Sequence, residues 1–283
     1  MNRILNRQTT WHVINIKARR EQNTNHYVEV FRRLFEEDPL VTLPRDKSES
    51  IKSMVFSEEL DDNSNPKWIR ATLLYYTIID PEAFYNRRSK EDVNIDDWNA
   101  DIVANKKEAE FIFIPSAHTI VIKRNSPISL QNTIAYFSNA LNRIEPNTFD
   151  VSVVLERDML DRILSAHAVY TIEANISYSN PGHTNGFMAA FDNKLRDMEP
   201  ENFTIIAKGS KDHPLINEPD GMLQSIVNSS ERDGTIKATI ESTEGSKLEK
   251  IDSKNHPRIL IVPQIINDIY STLYNKIRTV FPN

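Results

Sequence analysis

The chain is expected to fold as α+β: two sandwich-like domains, 1–146 and 150–283, each a mainly antiparallel sheet with helices on one face. Three observations predict this. Polar and apolar residues alternate without a fault in "AVYTIEANISY" (168–178), which marks a strand with one covered face. Stripes of helical period are interleaved with such strands along the whole chain. Between the halves, Pro and Asn in "IEPNTFD" (144–150) stop a helix before a new strand opens at Val151.

The elements follow in order. "WHVINIK" (11–17) reads as a strand, and "NTNHYVEVFRRLFEED" (23–38) as a helix with Tyr27, Val30, Phe31, Leu34 and Phe35 inward, Thr24 or Asn25 as cap and Pro39 as stop. "WIRATLLYYTIID" (68–80) is a long buried strand, and residues 111–124 form an apolar hairpin around Pro115. Ser126 and Pro127 are placed to open a helix whose stripe is Leu130, Ile134, Phe137, Leu141 and Ile144. After the alternating strand comes a helix with Met188, Phe191, Leu195 and Met198 on one side, then a strand at 203–207. A short helix near Met222–Val227, strands at 234–241 and 258–262, and a closing helix with Ile266, Ile269, Leu273, Ile277 and Val280 inward complete the chain.

Composition excludes several chemistries. The 283 residues contain no Cys, which removes disulfides, thiolate nucleophiles, iron–sulfur clusters and cysteine-based zinc sites, and fits a reducing cytoplasm, the expected location. No apolar run approaches the roughly 20 residues of a membrane span, so no membrane insertion is expected. The net charge of −6 hides a gradient: residues 1–33 carry seven Lys/Arg against two Glu, whereas residues 34–110 carry ten against eighteen acids. Phosphate loops, dinucleotide fingerprints and a GxSxG elbow are absent, and the seven His show no metal-ligand spacing, so neither a cofactor nor a metal is expected.

Four basic pairs stand out: Arg19-Arg20, Arg32-Arg33, Arg87-Arg88 and Lys123-Arg124. Singly each reads as a solvated surface pair, and Glu29 stands four residues before Arg33. Together, beside strand and helix ends, they are candidates for one anion-binding face. In the turn "SNPGHTNG" (179–186), His183 precedes a helix start where a phosphate could sit, although a loop histidine there is ordinarily just solvated. Arg162 and His167 in "RILSAH" match the Arg-x4-6-His spacing of all-helical HEPN ribonucleases, yet a strand starts straight after His167, where that fold needs a helix.

The order "VINIKAR…YVEVFRRLF", "ATLLYYTIID", "FIFIPSAHTIVIKR…ISLQNTIAYFSNAL" and "ANISYSNPGHTNGF" resembles a bacterial family known as domain of unknown function 4747, and more distantly the phage exclusion protein RexA. The resemblance spans most of the chain. It implies a homodimeric, sequence-nonspecific binder of double-stranded DNA acting in anti-phage defence, with a membrane or nuclease effector encoded nearby as a further partner. No catalytic residue can be carried over from it. The alternatives are a metal-independent nuclease using Arg162 and His167, and an antitoxin-like protein whose ligand is another protein.

Overall fold

The computed structural model describes residues 8–20, 22–44, 47–95, 99, 101–176, 198, 203–218, 221–263 and 268–281. The chain runs through β1 (Gln8–Ala18), α1 (Thr24–Glu37), β2 (Val41–Leu43), β3 (Lys47–Phe56), β4 (Ile69–Thr77), β5 (Phe84–Asn86), β6 (Glu91–Val93), β7 (Ala104–Ile114) and β8 (Thr119–Lys123). It continues through α2 (Leu130–Ile144), β9 (Phe149–Val153), α3 (Arg157–Leu164), β10 (Ala168–Ile176), β11 (Phe203–Lys208), α4 (Met222–Asp233), β12 (Gly234–Glu241), β13 (Glu249–Asp252), β14 (Ile259–Pro263) and α5 (Ile269–Val280). The architecture is α+β, with every registered strand pair antiparallel.

The larger sheet has the order β14-β1-β8-β7-β4-β3-β2, and β9 also pairs with β1. One edge of β1 lies along β8, and two short strands share the other edge end to end. β9 takes the stretch Ile14–Ala18 and β14 the stretch Gln8–His12. The join is sealed where Val154 N–H donates to Val13 O and Arg258 N–H donates to Val154 O. The chain therefore leaves this line at Leu155, builds the second sheet, and returns at Arg258. The expected division near 146–150 stands one strand early, and the second sheet is an insertion in a frame formed by both ends of the chain. The physical reason is the length of β1, whose backbone donors and acceptors need partners along the whole edge.

In the frame, Ile14 and Ile16 of β1 face α1 and α2, with Phe31, Phe113 and Phe137 in the same core. The other face of this sheet is covered too: Trp11, Val13 and Val262 pack against Leu273 and Ile277 of α5. The caps differ slightly from expectation. Asn23 accepts from His26 N–H at the start of α1, and Ser129 rather than Ser126 caps α2, because Ser126 turns to Ile128 instead. In α2 the buried set is Thr133, Tyr136, Phe137, Ala140, Leu141 and Ile144, which leaves Leu130 and Ile134 of the expected stripe only partly covered.

The insert orders its strands β11-β10-β12-β13. Ile172, Ala174, Ile176, Ile236 and Ile240 meet Leu160 and Ile163 of α3 and Ile226 and Val227 of α4, while Glu173, Asn175 and Lys237 lie on the exposed side. Arg232, at the end of α4, docks the insert on the frame. Its guanidinium donates to Asn15 Oδ1 and to Ala117 O, both at 3.0 Å, and Ser152 donates back to its carbonyl at 2.7 Å. Among the described residues no helix is long and apolar enough to cross a membrane.

Candidate nucleic-acid interface

Between Thr77 and Ala104, which pair with each other, the chain makes an excursion carrying a separate two-stranded ribbon of β5 and β6. Asn86 shapes its tip: Oδ1 accepts from Arg88 N–H at 2.9 Å and Ser89 N–H at 3.1 Å, and its carbonyl accepts from Lys90 N–H at 2.8 Å. This is an Asx turn, with Lys90 in the left-handed region at φ 61°. It presents Arg87, Arg88 and Lys90 to solvent, and none of the three makes an ion pair among the described residues. Behind the tip the charge changes sign at Glu91 and Asp92, and Tyr85, Val93, Ile95 and Ile102 are exposed apolar side chains.

The other basic pairs are mostly held by carboxylates. Arg19 reaches Asp150 at 3.1 Å, Arg32 reaches Glu29 at 3.5 Å and lies over the Phe56 ring, and Arg33 reaches Glu37 at 2.9 Å and Glu145 at 3.5 Å. The expected Glu29–Arg33 pair is thus replaced by Glu29–Arg32, one residue nearer. Lys123 reaches Glu110 at 3.2 Å, a carboxyl shared with Arg70 and the Tyr270 hydroxyl. Burial pushes the Glu110 carboxyl up, but the hydrogen bonds from Tyr270 and Lys123 outweigh it and leave the pKa below its ordinary value. Arg124 is exposed and makes no ion pair among the described residues.

Arg33 and the Arg19-Arg20 pair lie together around Glu145, and Lys123 stands apart from them along β1. Lys123 stands opposite Trp11 in the register, whereas Arg19 and Arg20 follow the far end of β1. Eight residues of extended chain from Trp11 to Arg19 span about 26 Å. At the far end, Arg19, Asn139, Asn142, Arg143 and Asn147 line a polar hollow of about 480 Å³. Asn142 organises it by accepting from Thr148 and Phe149 N–H and donating to Phe149 O. The hollow opens at the C-terminal end of α2, where the helix carbonyls disfavour an anion, and Asp150 and Glu145 stand beside it.

Comparison with known families decides membership. The profile described as Domain of unknown function (DUF4747) matches residues 7–278. The chain belongs to this family. No curated protein matches it.

The remaining candidates of this DUF4747 chain are quickly placed. Arg162 is exposed and forms an ion pair with Glu249, not with Asp158, and α3 ends at Leu164 before β10 begins at Ala168, so Arg162 and His167 share no helix. His183 lies outside the described residues. Among the described residues no three His, Asp or Glu side chains cluster to hold a metal ion. Arg87-Arg88 is one basic pair among four in the sequence, and its exposure on a separate two-stranded ribbon carries no periodic signal.

Proposed function

We propose that this DUF4747 protein binds nucleic acid, with double-stranded DNA as the first choice, through phosphate contacts made by the tip of the β5–β6 ribbon. One observation carries the reading: three cations, Arg87, Arg88 and Lys90, stand on a solvent-exposed turn with no carboxylate holding them among the described residues. A two-stranded ribbon has the width that a DNA major groove admits. Contacts to phosphate carry no base information, so binding is without sequence choice. Glu91 and Asp92 confine the contact to the tip, because they would repel phosphates further along the ribbon. The apolar side chains Tyr85, Val93, Ile95 and Ile102 near the ribbon support pairing with a second copy, which would bring two tips to one duplex.

The test is fluorescence anisotropy with two unrelated DNA duplexes at low salt. Wild type is expected to bind both alike, and Arg87→Glu/Arg88→Glu to lose binding with an unchanged circular dichroism spectrum. A folded double mutant that binds as wild type does would remove the ribbon from the interface. If wild type itself binds neither duplex, a protein ligand takes DNA's place, a reading favoured by the same exposed apolar side chains and by the net charge of −6. We extend the proposal to a role in phage exclusion, on the order of strands and helices in the sequence that resembles RexA. In that case, cells carrying wild type should plate phage less efficiently than cells carrying the double mutant.

A further inference from the structure

A second site is independent of the ribbon. Where the insert meets the frame, a cleft of about 500 Å³ opens between α2 and β9 on one side and the ends of β10 and β12 on the other. That volume lies in the range of small-molecule pockets, which favour domain junctions. Its apolar lining is Leu130, Ile134, Val151, Val153, Leu155 and Pro257. Leu130 and Ile134 are the part of the α2 stripe that the frame core leaves uncovered, so this helix carries more apolar surface than its own core uses.

Four polar groups around this lining are unspent. Gln131, Asn175, Thr235 and Lys254 are exposed, and among the described residues their side chains make no hydrogen bond or ion pair. Asp150, the carboxylate of the cleft, is already engaged by Arg19 at 3.1 Å. Among the described lining residues Lys254 is therefore the charged side chain that no ion pair engages, with the Asp252 carboxylate accepting from its backbone N–H at 3.0 Å. Gly234 keeps the insert side tight, because a Cβ there would stand 2.3 Å from the Asn175 carbonyl oxygen.

We infer that this cleft binds a small organic anion, with a flat apolar body on Ile134, Val151 and Val153 and its negative group at Lys254. The amide groups of Gln131 and Asn175 orient it. Because the lining comes from both frame and insert, an occupant also ties the two together.

A suitable probe is 8-anilinonaphthalene-1-sulfonate, an aromatic body with one negative charge, titrated by fluorescence against the full chain. Wild type is expected to show one saturable site. Lys254→Gln is expected to weaken it about tenfold, the effect of losing a charged hydrogen bond. Gln131→Glu places a second negative charge at the cleft and is expected to weaken it as well. Both positions are exposed, so both variants should keep the wild-type melting curve. Absence of a saturable site in wild type, or an unchanged dissociation constant in Lys254→Gln, would overturn the inference. Arg87→Glu/Arg88→Glu should leave this binding intact, which separates the cleft from the ribbon.

Discussion

Glu49 of β3 shows what a single residue can hide. Its side chain is fully buried, and among the described residues both carboxyl oxygens lack a hydrogen-bond partner. The Tyr136 hydroxyl is likewise buried without a partner among the described residues. Burial pushes the Glu49 carboxyl up to about 8 from an ordinary 4.5, so at neutral pH it holds a proton. The unfolded chain releases that proton near pH 4.5 and the folded chain near 8, so stability falls as pH rises through this window. Glu49→Gln should therefore stabilise the protein, by about 3 kcal/mol at pH 7 and by little at pH 4. Urea melts of both proteins at the two pH values check this; an equal difference at both would contradict a buried proton. The residue pattern could not show it, since "KSESIKSMVF" has its polar residues where the fold buries Ser48, Glu49 and Ser50. The ion partners of the basic pairs were equally hidden, because Asp150 is 131 residues from Arg19.

At the scale of elements, the sequence revealed β4, β10, β12 and β14 by one regularly buried face, β1, β8 and the second half of β7 by apolar content in strands buried on both faces, and α1, α2 and α5 by helical period. β3 lacked such a signal because its buried positions are partly polar, and β5 and β6 lacked one because neither face of the ribbon is buried. The pairing of β14 with β1 could not be read either, since period alone does not say which distant strand completes an edge. Close approach is similarly invisible. Gly234 opens β12 with extended backbone, so strain is not the obstacle to a side chain; the Asn175 carbonyl oxygen is. Gly234→Ala should cost about 1–3 kcal/mol through this overpacking. A thermal melt that matches wild type would show that β10 and β12 can part without loss.

At the scale of the molecule, the inserted second sheet predicts cooperative unfolding. Both of its connections run through the edge of β1, and Arg232 adds hydrogen bonds to Asn15 and Ala117 across the junction. Trp11 and Trp68 are in the frame and Trp98 lies outside the described residues, so tryptophan fluorescence of a Trp98→Phe background reports on the frame, whereas backbone circular dichroism reports on frame and insert together. The two signals should give one coincident urea transition in that background. Arg232→Ala should lower stability by about 1–3 kcal/mol, since it removes two hydrogen bonds across the junction, one to Asn15 Oδ1 and one to the Ala117 carbonyl, which keeps the Thr119 hydroxyl as donor at 2.7 Å. It should also draw the two transitions apart.

A chain with net charge −6 gains little long-range attraction to DNA, so any affinity must come from a local set of cations. On the proposed reading that set is the ribbon tip, and the decisive quantity is the slope of log K against log salt for duplex DNA. Each phosphate contact contributes about 0.9 to that slope. Arg87→Ala/Arg88→Ala should flatten it by about 1.8, whereas Arg32→Ala/Arg33→Ala, on residues already paired with carboxylates, should leave it unchanged. The reverse pattern, with the ribbon variant at the wild-type slope and the α1 variant flattened, would contradict the account.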